Sequence, residues 1–428
     1  MSPASSMRVA LLVYRGNPHS GGQGVYTRYL ARELVELGHR VTVFAGQPWP
    51  VLDDGVEFVA VPSLDLYREP DPFRIPRPRE FRTPTDVAEF AIMCSAGFPE
   101  PRTFSRRVRK LLAARKADFE IVQDNQTFGT GLLGVMADGL PLLGTCHHPV
   151  TVDRALDLEH AANLRRRLAL RRWYGFIKMQ KKVARQIPRI LTVSSSSKRD
   201  IVEQFGVDAG QLEIVPIGVN HNHFRPRPGV VRVPGRIMTT ASADVPFKGL
   251  LPLVEALAKL RTEVPEAHLV VVGKLRADSP VAAAIRRLDL SGAVRFESAI
   301  SDDRMVELYA QAQVAVVPSL YEGFSLPAVE AQACATALVA TTGGALPEVV
   351  GDSGGSGLLV PPGDPAALAA AVGKVLEDPL LAARLGANGR RRVLERFTWG
   401  TCARLTAEHY RWTVEHFARL SSTGAGGG

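Results

Sequence analysis

With 428 residues, nearly half of them apolar, the chain reads as globular and long enough for two domains of ordinary size, each with its own core. The formal charge of +9 is modest for this length, and the scattered cysteines Cys94, Cys146, Cys334 and Cys402 lack metal-type spacing, so free thiols and no zinc site are expected. No apolar stretch approaches the roughly 20 residues that span a bilayer, and the first residues lack the parts of a signal peptide, so a cytoplasmic location is expected.

Short β-rich runs alternate with helical patterns along the chain, which predicts α/β architecture with two doubly wound parallel-sheet domains. The first domain, expected over 1–224, has predicted strands near 9–13, 40–44, 56–61, 119–123, 140–145, 190–193 and 212–215. A helix over 25–37 is ended by Gly38 as C-terminal cap. Residues 63–107, rich in proline and arginine, do not fit the alternation and read as an elaborated loop region. Residues 164–189 carry ten basic side chains and no acidic one, and Leu164, Leu168, Phe176, Val183 and Ile187 keep roughly helical spacing. That pattern predicts an amphipathic helix with a basic outer face, either simply solvated or suited to an anionic membrane surface or acidic acceptor. Nucleic acid is not expected, because no recognised binding module accompanies the charge.

A linker is expected over 225–235, where Pro226, Pro228, Gly229, Pro234 and Gly235 cluster. The second domain, over 236–400, has predicted strands near 237–241, 269–272, 294–296, 314–317, 338–341 and 358–360. A helix over 401–420 and a disordered tail over 421–428 complete the reading.

The chemistry concentrates where strands end. Glu322 and Glu330 stand eight positions apart in Ser319-Leu320-Tyr321-Glu322-Gly323-Phe324-Ser325-Leu326-Pro327-Ala328-Val329-Glu330, straight after the apolar run at 314–317. Ser325 and Pro327 read as the cap and first turn of a helix, so the loop offers free backbone N–H groups and a positive dipole end suited to phosphate. The spacing alone is equally that of an ordinary strand-to-helix turn with two solvated glutamates. Gly21-Gly22-Gln23-Gly24 lies between a strand and a helix. It is a poor dinucleotide fingerprint, because Thr27 stands where the third glycine belongs and no acidic ribose acceptor ends the next strand. His147-His148 follows the strand at 140–145, and no carboxylate or cysteine at ligand spacing makes the pair a metal site. Lys248 follows the strand at 237–241, where its ammonium could neutralise a diphosphate.

Taken in order, these segments resemble the retaining GT-B glycosyltransferases, family 4, whose glutamate-x7-glutamate pattern matches Glu322 and Glu330. Further matches are Gly38-His39-Arg40-Val41-Thr42-Val43, Val215-Pro216-Ile217-Gly218-Val219-Asn220, Lys248-Gly249, Val270-Val271-Val272-Gly273 and Gly343-Gly344-Ala345-Leu346-Pro347-Glu348-Val349-Val350, so that the resemblance covers nearly the whole chain. It implies two Rossmann-like domains facing each other across a cleft, an acceptor-side one first and a nucleotide-sugar domain second. It implies transfer of a sugar from a UDP- or GDP-sugar to a hydroxyl of a small metabolite, lipid or glycan, with retention and with neither metal nor other cofactor. The catalytic positions it implies are His147, Lys248 and Glu322, with Gly21, Gly22, Lys248, Phe324, Ser325, Leu326 and Glu330 holding the donor. Positions usually carrying an arginine hold Ser242 and Ala243, and Ala335 and Ala337 replace the glycine and proline after Glu330. A sugar-nucleotide epimerase or hydrolase, and a noncatalytic nucleotide-sugar binder, are the alternatives.

Overall fold

The computed structural model of the protein describes residues 6–17, 22–159, 161, 163–241 and 245–424. The chain divides into two compact units, the first made of Met1–Val193, Ser197–Val215 and Cys402–Gly428 and the second of Ser194–Ser196 and Pro216–Thr401.

The first unit contains strands β1 (Arg8–Val13), β2 (Arg40–Ala45), β3 (Glu57–Ala60), β4 (Ile121–Asn125), β5 (Leu142–Thr145), β6 (Ile190–Thr192) and β7 (Leu212–Ile214). They form a parallel sheet in the order β3-β2-β1-β4-β5-β6-β7. In β1 every residue after Arg8 is buried, as expected of a strand covered by helices on both faces. The helix Gln23–Glu36 ends in a Schellman motif: the Gly38 N–H donates to Val35 O at 2.8 Å and the His39 N–H to Leu34 O at 3.0 Å. Gly38 supplies the left-handed turn with φ of 88°.

The second unit contains β8 (Arg236–Thr240), β9 (His268–Val272), β10 (Val294–Glu297), β11 (Val314–Val317), β12 (Ala337–Thr341) and β13 (Leu358–Val360). Their order is β10-β9-β8-β11-β12-β13, again parallel. Each sheet is therefore doubly wound, building outward from its first strand in one direction and then returning to build in the other. The reversal leaves a crevice beyond the carboxyl ends of β1 and β4, and of β8 and β11, where such sheets take ligands.

Four expectations change. Residues 63–107 are not loop throughout, since the helix Pro84–Cys94 and the start of the helix Glu100–Ala114 lie there. The missed signal is a capping box: Thr83 accepts from the Asp86 N–H, Asp86 answers the Thr83 N–H, and Pro84 opens the helix. Arg107 then ties Asp86 and the buried Glu89 between the two helices. The basic stretch 164–189 is not one amphipathic helix but two, Leu164–Trp173 and Ile177–Ala184, separated by a tight turn at Tyr174–Phe176 that contains Gly175. Leu164 and Leu168 are exposed beside the arginines, while Ile177, Met179 and Val183 of the second helix enter the core. The last helix runs Trp399–Gly424, so the expected tail begins as helix, with the Ser422 hydroxyl donating to Arg419 O, and 425–428 lie outside the described residues.

The units divide between Val215 and Pro216, ahead of the expected linker. Arg390 holds this segment in the second unit by donating to the carbonyls of His221, Phe224 and Ala333 at 3.1, 2.9 and 2.9 Å. After the helix Leu326–Ala333, the N–H groups of Ala335 and Thr336 close another Schellman motif on Gln332 O and Ala331 O. Ala335 takes the left-handed position with φ of 53°. An L side chain there costs roughly 1–2 kcal/mol, against roughly 0.5–1 kcal/mol for glycine's extra entropy. Ala335→Gly is therefore expected to raise the thermal midpoint of the second unit by calorimetry, and a lowered midpoint would show that the turn is unstrained.

Candidate active site

In the second unit the reversal between β8 and β11 gathers the acidic loop and the lysine. Lys248 ends a single tight turn, Pro246–Lys248, and Gly249 follows with φ of 70°. A Cβ on Gly249 would lie 1.9 Å from Pro318 O, so only glycine lets the lysine turn pack onto the end of β11. The Leu320 N–H donates to Phe247 O at 2.7 Å and locks the two loops together. Lys248 Nζ then reaches Glu322 Oε1 at 2.7 Å, and the Ser319 hydroxyl donates to the same oxygen at 2.7 Å. Both donors meet one oxygen of a carboxylate that is 8% exposed, and Oε2 has no hydrogen-bond partner among the described residues.

Gly343 and Gly344 pack under this loop. A Cβ on Gly344 would stand 2.2 Å from Glu322 O, and the Ala345 N–H donates to that carbonyl at 2.8 Å. The helix Leu326–Ala333 starts immediately afterwards. Ser325 occupies the cap position, but with φ of 89° and no side-chain cap, which corrects the capping expected of it. Its Oγ is buried without a partner, and the N–H groups of Phe324, Ser325 and Leu326 find no acceptor among the described residues. Strain and unpaired donors at a helix start are what a bound anion would relieve. Phe324 is fixed from behind, its ring edge-on to Phe397 at 5.7 Å. One turn on, Glu330 accepts from the Tyr309 hydroxyl at 3.3 Å, and burial, followed by the Asp302 charge, outweighs that bond and pushes the carboxyl up to about 7. Ser242 and Ala243, where an arginine was sought, lie outside the described residues.

In the first unit the reversal between β1 and β4 carries the glycine loop and the histidine. Gly22 caps the helix Gln23–Glu36 with φ of 73°. Gly24 allows the closest approach, because a Cβ there would meet Asn17 O at 2.1 Å. Gly21 lies outside the described residues. Asn125, the last residue of β4, donates through Nδ2 to Gln23 O at 3.3 Å and to Thr27 Oγ1 at 3.1 Å. Its Oδ1 is thereby turned toward His147 Nε2, 2.8 Å away, so Nε2 carries the proton and Nδ1 is the free lone pair. Nδ1 is buried without a partner. Burial, then the His148 charge, pushes the ring down to about 3, so His147 is uncharged at neutral pH. Tyr26 stands edge-on to the imidazole at 4.6 Å. His148 is exposed.

The structure thus gathers Lys248, Glu322, Phe324, Ser325, Leu326 and Glu330 at one sheet edge of the second unit, and Gly22 and His147 at one edge of the first. Sequence reasoning missed Ser319, Tyr309 and Asn125. Ser319 was visible as the hydroxyl three residues before Glu322; Tyr309 and Asn125 belong to separate elements and left no local signal.

Residues 20–223 match the family described as Glycosyltransferase Family 4, and residues 230–392 the one described as Glycosyl transferases group 1. The chain is 52% identical to an MMP α-(1→4)-mannosyltransferase of Mycolicibacterium hassiacum, over 96% of this chain and 100% of that one. It is 34% identical to a D-inositol 3-phosphate glycosyltransferase of Kineococcus radiotolerans, over 96% and 97% of the two. Among solved structures, sucrose-phosphate synthase from Thermosynechococcus elongatus matches with a TM-score of 0.68 at 25% identity, covering 94% of this chain and 98% of that one. The chain belongs to the GT-B glycosyltransferases of family 4.

No described helix of this glycosyltransferase is long and apolar enough to cross a membrane. The raised Glu330 carboxyl gives a test of its setting. Between its ordinary value of 4.5 and about 7 the folded chain keeps a proton that the unfolded chain has lost, so this group's contribution to stability falls as pH rises through that window. Relative to wild type, Glu330→Gln should gain thermal stability between pH 5 and pH 8. A constant difference across that range would show that Glu330 ionises normally.

Proposed function

We propose that this glycosyltransferase moves a mannosyl group from a nucleoside-diphosphate donor to a sugar hydroxyl, with retention at the anomeric carbon and without a metal ion. The observation that carries the reading is the arrangement around Glu322 Oε1: a lysine and a hydroxyl on one carboxylate oxygen, a second oxygen left open, and unpaired amides alongside. Such a loop offers positive charge and donors to a diphosphate, and an acceptor to sugar hydroxyls. Mannose as the sugar is supported by the relative of which more than half the positions are identical. Uridine and guanosine donors both suit the pattern.

In this reading the bond from the anomeric carbon to the phosphate oxygen breaks as the acceptor oxygen bonds the same face, and the acceptor proton passes to the leaving phosphate. Charge builds on the diphosphate. Lys248, the N–H groups of the turn at 324–326 and the helix dipole are assigned to take it up, and Gly21 and Gly22 are assigned to the donor by family resemblance alone. Glu322 Oε2 accepts from the mannose hydroxyls and Glu330 from the ribose diol. His147, being uncharged, contributes the Nδ1 lone pair to a sugar hydroxyl and no positive charge.

A thermal-shift panel of UDP- and GDP-activated mannose and glucose identifies the donor, because stabilisation grows with concentration over affinity. Glu322→Ala should lower transfer by about a hundredfold or more with the fold intact. A fully active variant would end its assignment. Lys248→Ala should weaken donor binding by calorimetry by about tenfold or more, as for a lost charge-assisted hydrogen bond. Unchanged affinity would remove the lysine from the diphosphate, and donor turnover that ignores any acceptor would replace transferase by hydrolase.

A further inference from the structure

The first unit holds a second constellation that the donor chemistry does not use. Tyr14 directly follows β1, at the same sheet edge as Gly22. Its ring meets Phe98 edge-on at 6.5 Å, and Phe98 in turn lies 5.4 Å from Tyr67 and 5.0 Å from Trp173. None of these four rings is fully buried, and Phe73, 5.4 Å from Tyr67, is 59% exposed. Edge-on and tilted rings that each keep some exposure form an apolar ledge at the surface rather than a closed core.

Against the ledge stands a buried acid. Glu100 opens the helix Glu100–Ala114 and is 8% exposed, yet its Oε2 has no hydrogen-bond partner. Its ion-pair partner among the described residues is Arg15, whose Nε lies at 3.5 Å, too long for a good hydrogen bond. Arg15 directly follows Tyr14 and Glu100 stands two residues after Phe98, which places this ion pair next to the Tyr14–Phe98 contact. After burial, the Glu100 charge helps push the Tyr14 hydroxyl up to about 12 and raises that of Tyr67. Burial is also the main cause that pushes Glu100 itself up to about 8, with Glu89 and Asp65 adding to it and Arg15 opposing. A buried polar atom without a partner costs about 1–3 kcal/mol, so an oxygen left in that state beside open rings is poised for a ligand group.

A pyranose ring has the matching surface. Its C–H face is apolar and packs on aromatic rings, while its rim of hydroxyls needs planar polar partners. We propose that Tyr14, Tyr67, Phe98 and Trp173, with Glu100 and Arg15, form a subsite of the first unit for a neutral α-(1→4)-linked hexose of the acceptor, the rings carrying its apolar face and Glu100 bonding its hydroxyls. The α-(1→4) linkage is that in the name of the 52% identical relative, and the assignment to the acceptor rests on the transferase reading above.

The test is saturation-transfer NMR of the whole protein with α-(1→4)-mannotetraose, alongside thermal shift with the nucleotide sugar. Wild type should transfer saturation to ring protons of the sugar. Phe98→Ala and Glu100→Ala should weaken sugar binding by about tenfold or more, and leave the donor-induced thermal shift unchanged. Glu100→Gln, which keeps a neutral planar hydrogen-bonding group, should retain most of the binding. Absence of sugar binding to wild type, or equal binding by both alanine variants, overturns the subsite. Should no nucleotide sugar shift the wild-type midpoint, the transferase reading fails, and the sugar titration decides the subsite by itself.

Discussion

The ion pair between Lys248 and Glu322 constrains everything around it in the second unit. Removing a carboxylate from water costs several kcal/mol, which the lysine and the Ser319 hydroxyl must repay together. They repay it only if three backbone segments approach to within van der Waals contact, and that is what Gly249 against Pro318 and Gly344 against Glu322 permit. The glycines are therefore conditions of the charge arrangement. A side chain at either place would part the lysine from its carboxylate, leaving each partly desolvated and alone.

The first unit solves a different problem, that of holding a histidine uncharged and in one tautomer. The Thr27 hydroxyl and Gln23 carbonyl orient the Asn125 amide, and the amide in turn orients His147. Next to this chain, Gln123 donates to Thr145 Oγ1 at 2.7 Å and accepts from the fully buried Tyr410 of the last helix. The C-terminal helix thus packs a hydrogen-bonded tyrosine against the centre of the first sheet, helped by Arg189 stacked on Trp412 at 3.4 Å. Truncating that helix would leave Gln123 half-satisfied two residues before the ligand end of β4, a steep penalty for a buried amide.

Much of this was legible in the sequence. All thirteen expected strands appear, because β-branched runs between helical patterns are strong signals for parallel sheets, and Gly38 marked its helix end through the same φ argument that the structure shows. The residues after those strands were legible too, since position at a carboxyl edge follows once the strand is placed. What escaped were relations across elements. Nothing near Glu330 announced Tyr309, and nothing near His147 announced the Asn125 amide. The basic stretch misled because its periodicity continued through Gly175, where the helix breaks. The Thr83 capping box was readable but was outweighed by the surrounding prolines and arginines.

The ledge in the first unit shows why such elaborations gather where they do. A parallel sheet needs only one crossover helix between β3 and β4, and here that span holds two, Pro84–Cys94 and Glu100–Ala114. The extra chain is not needed to close the sheet, and it brings Tyr67, Phe73, Phe98 and Glu100 to the ligand edge beside Tyr14. Its internal ion pairs, Arg107 with Asp86 and Glu89 and Arg74 with Glu80, stiffen it independently of the sheet. A segment with its own support can change its exposed rings without disturbing the strands. The Lys248 loop lacks that freedom, because each contact there is also a condition of burying Glu322.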